Sequence, residues 1–479
     1  MTTNPLPESV SVLICGGMQH LARPLLWFLA DNASSSSGSR QGPQVQHVRV
    51  VDKFIVSEAG SSLVSRAAAT RTQHASQHAS SCALGPDIFF APRARAFLQW
   101  VDPRTHEVLR DPRFEYKQAN LTNRETAQSV YRTPDGKAYD FVFDLTGEGA
   151  GLGQNLSSQM LLDRTTKLAR QLAQISAQEG VRAHVRDTGG YLTIKPDEPA
   201  IKEGQVGGRT VKSKKAFWWH EAERAAADVP GLNLVITRSA GLWGPFQYVS
   251  PLMPRLYMGQ VYQWHKEPMK LLWGPELRVH SIHTADWSSA AWQLACWMAQ
   301  RGRVAADAEA GEDIATVEYN GKDEDEIKKL VAHNEDVCPR DKVPRAPVFN
   351  VVDGDNTDQG KILEVVGTAF DVETGFVNAA ITTWAKLNLS SVVDDVNAKH
   401  FDMVFEMLKS TDPPVTHETS PLTSFLDAET LANRALALDG SKLTKVIGFK
   451  PTQRLSAEAL LDIRSGFRQS SGAWPLDKQ

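Results

Sequence analysis

Two stretches place residues where a nucleotide could be held. The first is Cys15-Gly16-Gly17-Met18-Gln19-His20-Leu21-Ala22, which closes a run of apolar residues. A tight strand-to-helix turn aims backbone N–H groups and a helix N-terminus at a pyrophosphate, and glycine lets the backbone come close. Against a GxxGxxG pattern Gly16 matches, Gln19 stands at the middle glycine and Ala22 at the last. Alanine is a small change, but glutamine puts a side chain where the pyrophosphate would sit. The second feature is Asp52, at the end of the apolar run 48–51. An acid there can accept hydrogen bonds from a ribose diol, which favours NAD over NADP. Lys53 and Arg23 are cations that could instead hold a 2′-phosphate. The plainer alternative is a strand–turn–helix with no ligand, in which Asp52 is a strand-end turn residue.

Proton-moving candidates are fewer. Tyr191 and Lys195 have the spacing of a helical pair, but Gly189-Gly190 and Pro196 disfavour a helix through them. His220 has a side chain whose ordinary pKa suits neutral pH. The aromatics Phe217, Trp218, Trp219, Trp243, Phe246 and Tyr248 read as packing residues that could also line an apolar ligand pocket.

The elements that must position these residues are short apolar runs alternating with helical patterns. Strands are expected at 10–15, 48–51, 139–145, 181–185 and 234–237, with a short one near 114–117. Helices are expected at 21–30, 154–179 and 217–227; the second carries Leu161, Leu162, Leu168, Leu172 and Ile175 at helical spacing. Such alternation argues for βαβ units, hence an α/β fold with a mainly parallel sheet. Residues 32–46 are rich in Ser, Gly and Gln and read as a flexible surface insertion. Residues 66–81, rich in Ala, Ser, His and Gln, read as mobile or marginally helical. Residues 305–345 are strongly charged, and the run Lys322 to Lys329 reads as a solvated helix or loop.

Composition excludes several classes. With 42% hydrophobic and 23% charged residues and a net charge of −4, the 479-residue chain has no basic footprint for nucleic acid and no polybasic patch for a membrane. The run at 10–15 is too short for a signal core or a membrane span. Its four cysteines form no CxxC unit, so neither a zinc site nor a disulfide framework is indicated, and a cytoplasmic location is expected.

Further along, the sequence resembles the extended short-chain dehydrogenase/reductase family, of NAD-dependent epimerase/dehydratase type. Asn120-Leu121 resembles its adenine-side element, and Asp144-Leu145-Thr146-Gly147 the loop after its fourth strand. Val185 to Tyr191 resembles its fifth strand with Thr188 at the end. Val235 to Pro245, containing Arg238 and Gly244-Pro245, resembles its Arg-Pro-x-x-x-x-Gly-Pro signature. His280 to Asp286, Val348 to Gly354, Leu438 to Lys442 and Ile447 to Pro451 follow in the family's order.

The resemblance implies a Rossmann-type doubly wound parallel sheet with a smaller C-terminal substrate lobe. It implies a dinucleotide-binding domain at 8–245 and a substrate lobe at 246–479 with return strands and the charged insertion. It further implies NAD or NADP held by Gly16, Gly17, Gln19, His20, Asp52, Asn120, Leu121, Leu145, Thr146 and Gly147. It explains His280, His283 and Asp286 as strand and helix-cap residues, so no metal is expected. The family's catalytic Tyr and Lys do not line up. Counting back from Ala222-Glu223 puts Lys215 at the Tyr place and Trp219 at the Lys place. Thr188, Tyr191, Lys215 and His220 remain as catalytic candidates, with Lys215 and Trp219 expected on one helix face toward the cleft.

Two functions follow as expectations. One is an NAD(P)-dependent oxidoreductase or epimerase-like enzyme acting on a small hydroxyl- or carbonyl-bearing substrate with a non-standard site. The other is a nucleotide- or metabolite-binding pseudo-enzyme, a sensor or scaffold. The expected partner is a small molecule, with no nucleic acid and no membrane, and a homodimer is compatible with either.

Overall fold

Burial along the first strand, β1 (Ser9–Cys15), is continuous rather than alternating. Val10, Val12 and Ile14 join one apolar cluster, while Leu13 and Cys15 join another. Successive side chains of a strand point to opposite faces, so a strand buried on both must be covered by a layer on each side. A computed structural model shows those layers for residues 4–35, 42–56, 98–148, 156–250, 252–411, 415, 420–471 and 473–474. The expectation for 66–81, and Cys82, lie outside the described residues.

The remaining strands of the main sheet are β2 (Gln44–Asp52), β3 (Phe114–Gln118), β4 (Phe141–Asp144), β5 (Ala183–Asp187), β6 (Leu234–Ser239), β7 (Gly311–Asp313) and β8 (Arg345–Val351). Their order is β7-β8-β6-β5-β4-β1-β2-β3. Every pairing is parallel except β7 with β8. The five expected principal strands therefore lie in one parallel sheet, and the order reverses between β1 and β4. This is a Rossmann-type doubly wound fold.

Helix α1 (Ala22–Ser34) packs beneath β1 and β2. The long helix α4 (Thr284–Ala310) covers β5, β6 and β8 on the same face. The opposite face carries α2 (Lys167–Gln178), entered through a π-helical turn at Leu162–Thr166, and α3 (Lys214–Ala227). Leu168, Leu172 and Ile175, one stripe of α2, close the core over Leu13, Cys15 and Val51.

One local expectation is corrected and another is filled in. The insertion at 32–46 is narrower, because α1 runs through Ser34 with Asn32 and Ala33 buried, and β2 already begins at Gln44. A Ser/Gly-rich stretch can extend a helix where neighbouring apolar residues anchor it, so propensity lost to packing. The charged run Lys322 to Lys329 falls largely in a helix, in keeping with its reading as a solvated helix or loop, while other parts of 305–345 join the body of the protein. Helix α5 (Glu324–Ala332) is largely solvated, yet β7 joins the sheet edge and Ile327 is buried. The C-terminal part adds helices at Met253–His265, Gln359–Phe370, Leu389–Lys409 and Ala457–Ser471, around a separate aromatic and methionine-rich core. Among the described residues no helix is long and apolar enough to cross a membrane.

Candidate functional site

The turn after β1 is built on glycine of necessity. Gly16 (φ +72°) and Gly17 (φ +79°) both lie in the left-handed region. A Cβ on Gly17 would come within 2.7 Å of the Leu145 side chain, and one on Gly16 within 3.0 Å of Thr146. The turn is thus pressed onto the loop after β4. Gly16 N–H donates to Val51 O (2.7 Å), tying it to β2 as well.

Asp52, at the end of β2, locks this turn from the other side. Its Oδ2 accepts from Met18 N–H (3.1 Å) and its Oδ1 from Lys53 N–H (2.6 Å). Burial raises its pKa, and the backbone donors oppose that. Side chains of β3 fix the next residues: Tyr116 donates to Phe54 O (2.6 Å) and Gln118 to Lys53 O (3.1 Å). On β4, Asp144 accepts from Thr146 N–H and Oγ1, and it pairs with the fully buried Arg186 of β5. Arg186 and the other donors outweigh the cost of burial and hold the Asp144 pKa down to about 2.

These strand ends open onto one cleft of about 850 Å³. Gly16, Gly17, Gln19, His20, Asp52, Asn120, Leu121, Leu145, Thr146 and Gly147 all line it. The structure therefore brings together every residue selected from the sequence for a cofactor. It adds Phe54, Glu148, Arg164, Leu168 and others. Glu148 forms an ion pair with Lys53 and lies 3.6 Å from Arg164. Arg23 does not serve the cleft as a phosphate-holding cation. It is buried, with Nη1 donating to Asp102 (3.2 Å) and Nη2 to Phe246 O (3.0 Å) and Gln19 O (3.1 Å).

The four catalytic candidates lie elsewhere. None of them lines the cleft. Thr188, just beyond β5, donates to Glu223 (2.8 Å). Arg238 of β6 grips the same carboxylate with Nε (2.9 Å) and Nη2 (2.6 Å). Burial raises the Glu223 pKa, but the Arg238 guanidinium outweighs it and the net shift is downward. His220 lies 3.8 Å from Glu223 and its Nε2 is 2.7 Å from Ala315 O. A carbonyl can only accept, so Nε2 carries the hydrogen and Nδ1 is left to accept from Tyr191 Oη (3.0 Å). Burial brings the His220 pKa down to about 4 and pushes the Tyr191 phenol up. Thr188 and Arg238 thus tie Glu223 of α3 to β5 and β6, while Tyr191 is bonded separately to His220 of the same helix.

Lys215 is half-buried in the first turn of α3 and apart from these contacts. The expectation that it joins Trp219 at the cleft is corrected, because only Trp219 reaches the cleft's margin. The Trp219 indole N–H donates to Glu148 O (2.9 Å), and its ring lies against Gly147, where a Cβ would come within 2.4 Å. Tyr191 sits in a loop, and Lys195 is exposed, so these two are not a helical pair. His283 caps α4 by accepting from Ala285 N–H, and Asp286 accepts from Thr452 and Gln453.

No family model matches the sequence, and no curated protein does. Solved structures do match, over nearly the whole chain. A UDP-glucuronic acid 4-epimerase from Bacillus cereus, in complex with UDP-glucuronic acid and NAD, superposes with a TM-score of 0.51 at 11% identity, covering 96% of this chain and 99% of that one. The Bordetella bronchiseptica enzyme WbmG, in complex with NAD and UDP, gives 0.52 at 11% identity and 96% of each chain. Pal from Bacillus thuringiensis gives 0.51 at 11% identity, with 96% and 99% covered. The chain thus shares its fold with these solved proteins. Likeness at this identity speaks for the architecture, and the chemistry must come from the site itself.

Proposed function

We propose that this chain binds an adenine dinucleotide of NAD type in the cleft at the ends of β1 to β4. The observation that carries this is the convergence of Gly16, Gly17, Asp52, Asn120 and Thr146 on one crevice at the point where strand order reverses. The positive-φ glycines fit a pyrophosphate that must approach the backbone, and Asp52 lies where a ribose diol would be met. That two solved proteins of this fold are complexes with NAD supports the choice of cofactor. Bound NAD would supply hydride-transfer chemistry. Sugar-nucleotide epimerisation is then the first reading for turnover, by analogy with a fold-mate.

A second reading, nucleotide binding without hydride transfer, is favoured by a specific observation. By the count back from Ala222-Glu223, Trp219 falls at the lysine place of the family that the sequence resembles, its N–H is bonded to Glu148 O, and an indole N–H carries no charge to lower a neighbour's pKa. The Thr188 hydroxyl is also committed to Glu223, and the Tyr191 hydroxyl to His220. The geometry thus supports binding better than catalysis.

Calorimetry with NAD tests the shared claim. The wild type binds, and Asp52→Ala weakens binding by about 1–3 kcal/mol through loss of charged hydrogen bonds and of the tie to Met18. Absence of NAD and NADP binding at millimolar concentration would sink the proposal.

A further inference from the structure

Among the described residues the cleft draws on the sheet no further than the end of β4. In a doubly wound sheet the two mononucleotide halves lie on either side of the switch point, each over the ends of its own strands. Here the switch lies between β1 and β4. The cleft takes its lining from the ends of β1, β2, β3 and β4 and from Leu156, Arg164 and Leu168. Among the described residues, none of the lining comes from the ends of β5 or β6 or from α3, where the second half would rest.

Trp219 stands at that border and is fixed from three sides. Its ring abuts Gly147, its N–H is bonded to Glu148 O, and the buried Arg186 lies 5.8 Å from the ring centroid. Moving it would break that hydrogen bond and uncover the Arg186–Asp144 pair, whose side chains are both fully buried. The Thr188 and Tyr191 hydroxyls have given their hydrogens to Glu223 and His220, so neither is left to donate to a ligand.

We infer that the cleft recognises the ADP moiety of its ligand and leaves the nicotinamide half uncontacted. This rests on the proposal that the cleft is a nucleotide site. The recognised part is adenosine beside Asp52, Asn120, Leu121 and Leu168, followed by a diphosphate at the Gly16-Gly17 turn. A portion of ligand that stays in water adds little affinity. ADP, ADP-ribose and NAD are therefore equivalent ligands, and the protein responds to the ADP group they share.

The test is calorimetry on the full chain with ADP, ADP-ribose and NAD, together with saturation-transfer NMR of NAD. The three dissociation constants are expected within about threefold of one another, less than the tenfold that 1.4 kcal/mol of added contact would give. In the NMR experiment the adenine protons receive saturation and the nicotinamide protons stay near background. NAD binding about tenfold or more tighter than ADP-ribose, or equal saturation at both ends, would overturn the inference while leaving the nucleotide site intact. Absence of binding by all three would bring down the nucleotide site itself, and the inference with it. All measurements use the wild-type protein, so no variant need fold.

Discussion

Tyr191 illustrates how a residue that looks reactive can be structural. Its phenol donates to a neutral histidine whose other nitrogen is spent on Ala315 O, and burial drives its pKa upward. A general acid must meet the group it protonates and titrate near the working pH. Tyr191→Phe should therefore leave NAD affinity unchanged and cost about 1 kcal/mol of stability, the worth of one hydrogen bond. Urea denaturation and calorimetry on the same variant check both. If the variant binds normally but loses NAD(P)H turnover by about a hundredfold, Tyr191 is a general acid and the structural account is wrong.

At this scale much of the site was legible from the sequence. Gly16, Gly17, Asp52 and Thr146 close strands that are themselves visible as apolar runs, so a local pattern locates them, whereas Asn120, after the mixed run Phe114 to Gln118, is marked only by the family resemblance. Glu148 and Arg164 were not legible. Their places depend on an ion pair with Lys53 and on the turn before α2, and neither leaves a periodic mark.

Between elements, the Glu223–Arg238 pair is the main tie of α3 to the sheet. The carboxylate is fully buried, and it accepts from Thr188 as well as from both guanidinium nitrogens. Removing one partner of such a pair strands the other charge without water. Glu223→Ala should lose about 3–5 kcal/mol, read from chemical denaturation. A loss below about 1 kcal/mol, the range of surface pairs, would mean the guanidinium finds other partners. The sequence shows both residues but not their contact, since nothing local links a helix position to a strand fifteen residues on. The β7 strand was invisible for a different reason. Three residues are too few to display a period of two, and they pair only because Ala346 and Pro347 of β8 lie alongside.

For the whole molecule, buried histidines set the response to acid. Burial lowers the pKa of His20, His220, His283 and His400 to about 4, well below the ordinary 6.5. Between pH 6.5 and 4 the unfolded chain therefore binds protons at these sites that the folded chain refuses. Stability present above pH 6.5 is lost as the pH falls toward 4. Asp187 and Asp353, pushed up to about 6 by burial, act in the opposite sense, because the folded state takes their protons first. The histidines outnumber them, so the net slope is downward with acid, on the order of 1–3 kcal/mol per pH unit. Melting temperatures measured from pH 7.5 to pH 5 should fall steadily; a flat or rising series would contradict the assignment.

The order β7-β8-β6 also bears on how the protein is made. Strand β6 ends at Ser239, but its neighbour β8 is not synthesised until residues 345–351, and α4, which covers β5 and β6, spans Thr284–Ala310. A growing chain that has produced the whole cleft and β6 still carries β6 as a bare edge, with β5 and β6 uncovered on the face that α4 will take. An unpaired edge over exposed apolar surface is a template for joining another chain. For the interval of about a hundred residues of elongation, five to twenty seconds at ordinary translation speeds, the nascent protein depends on whatever shelters that edge until its own later sequence arrives.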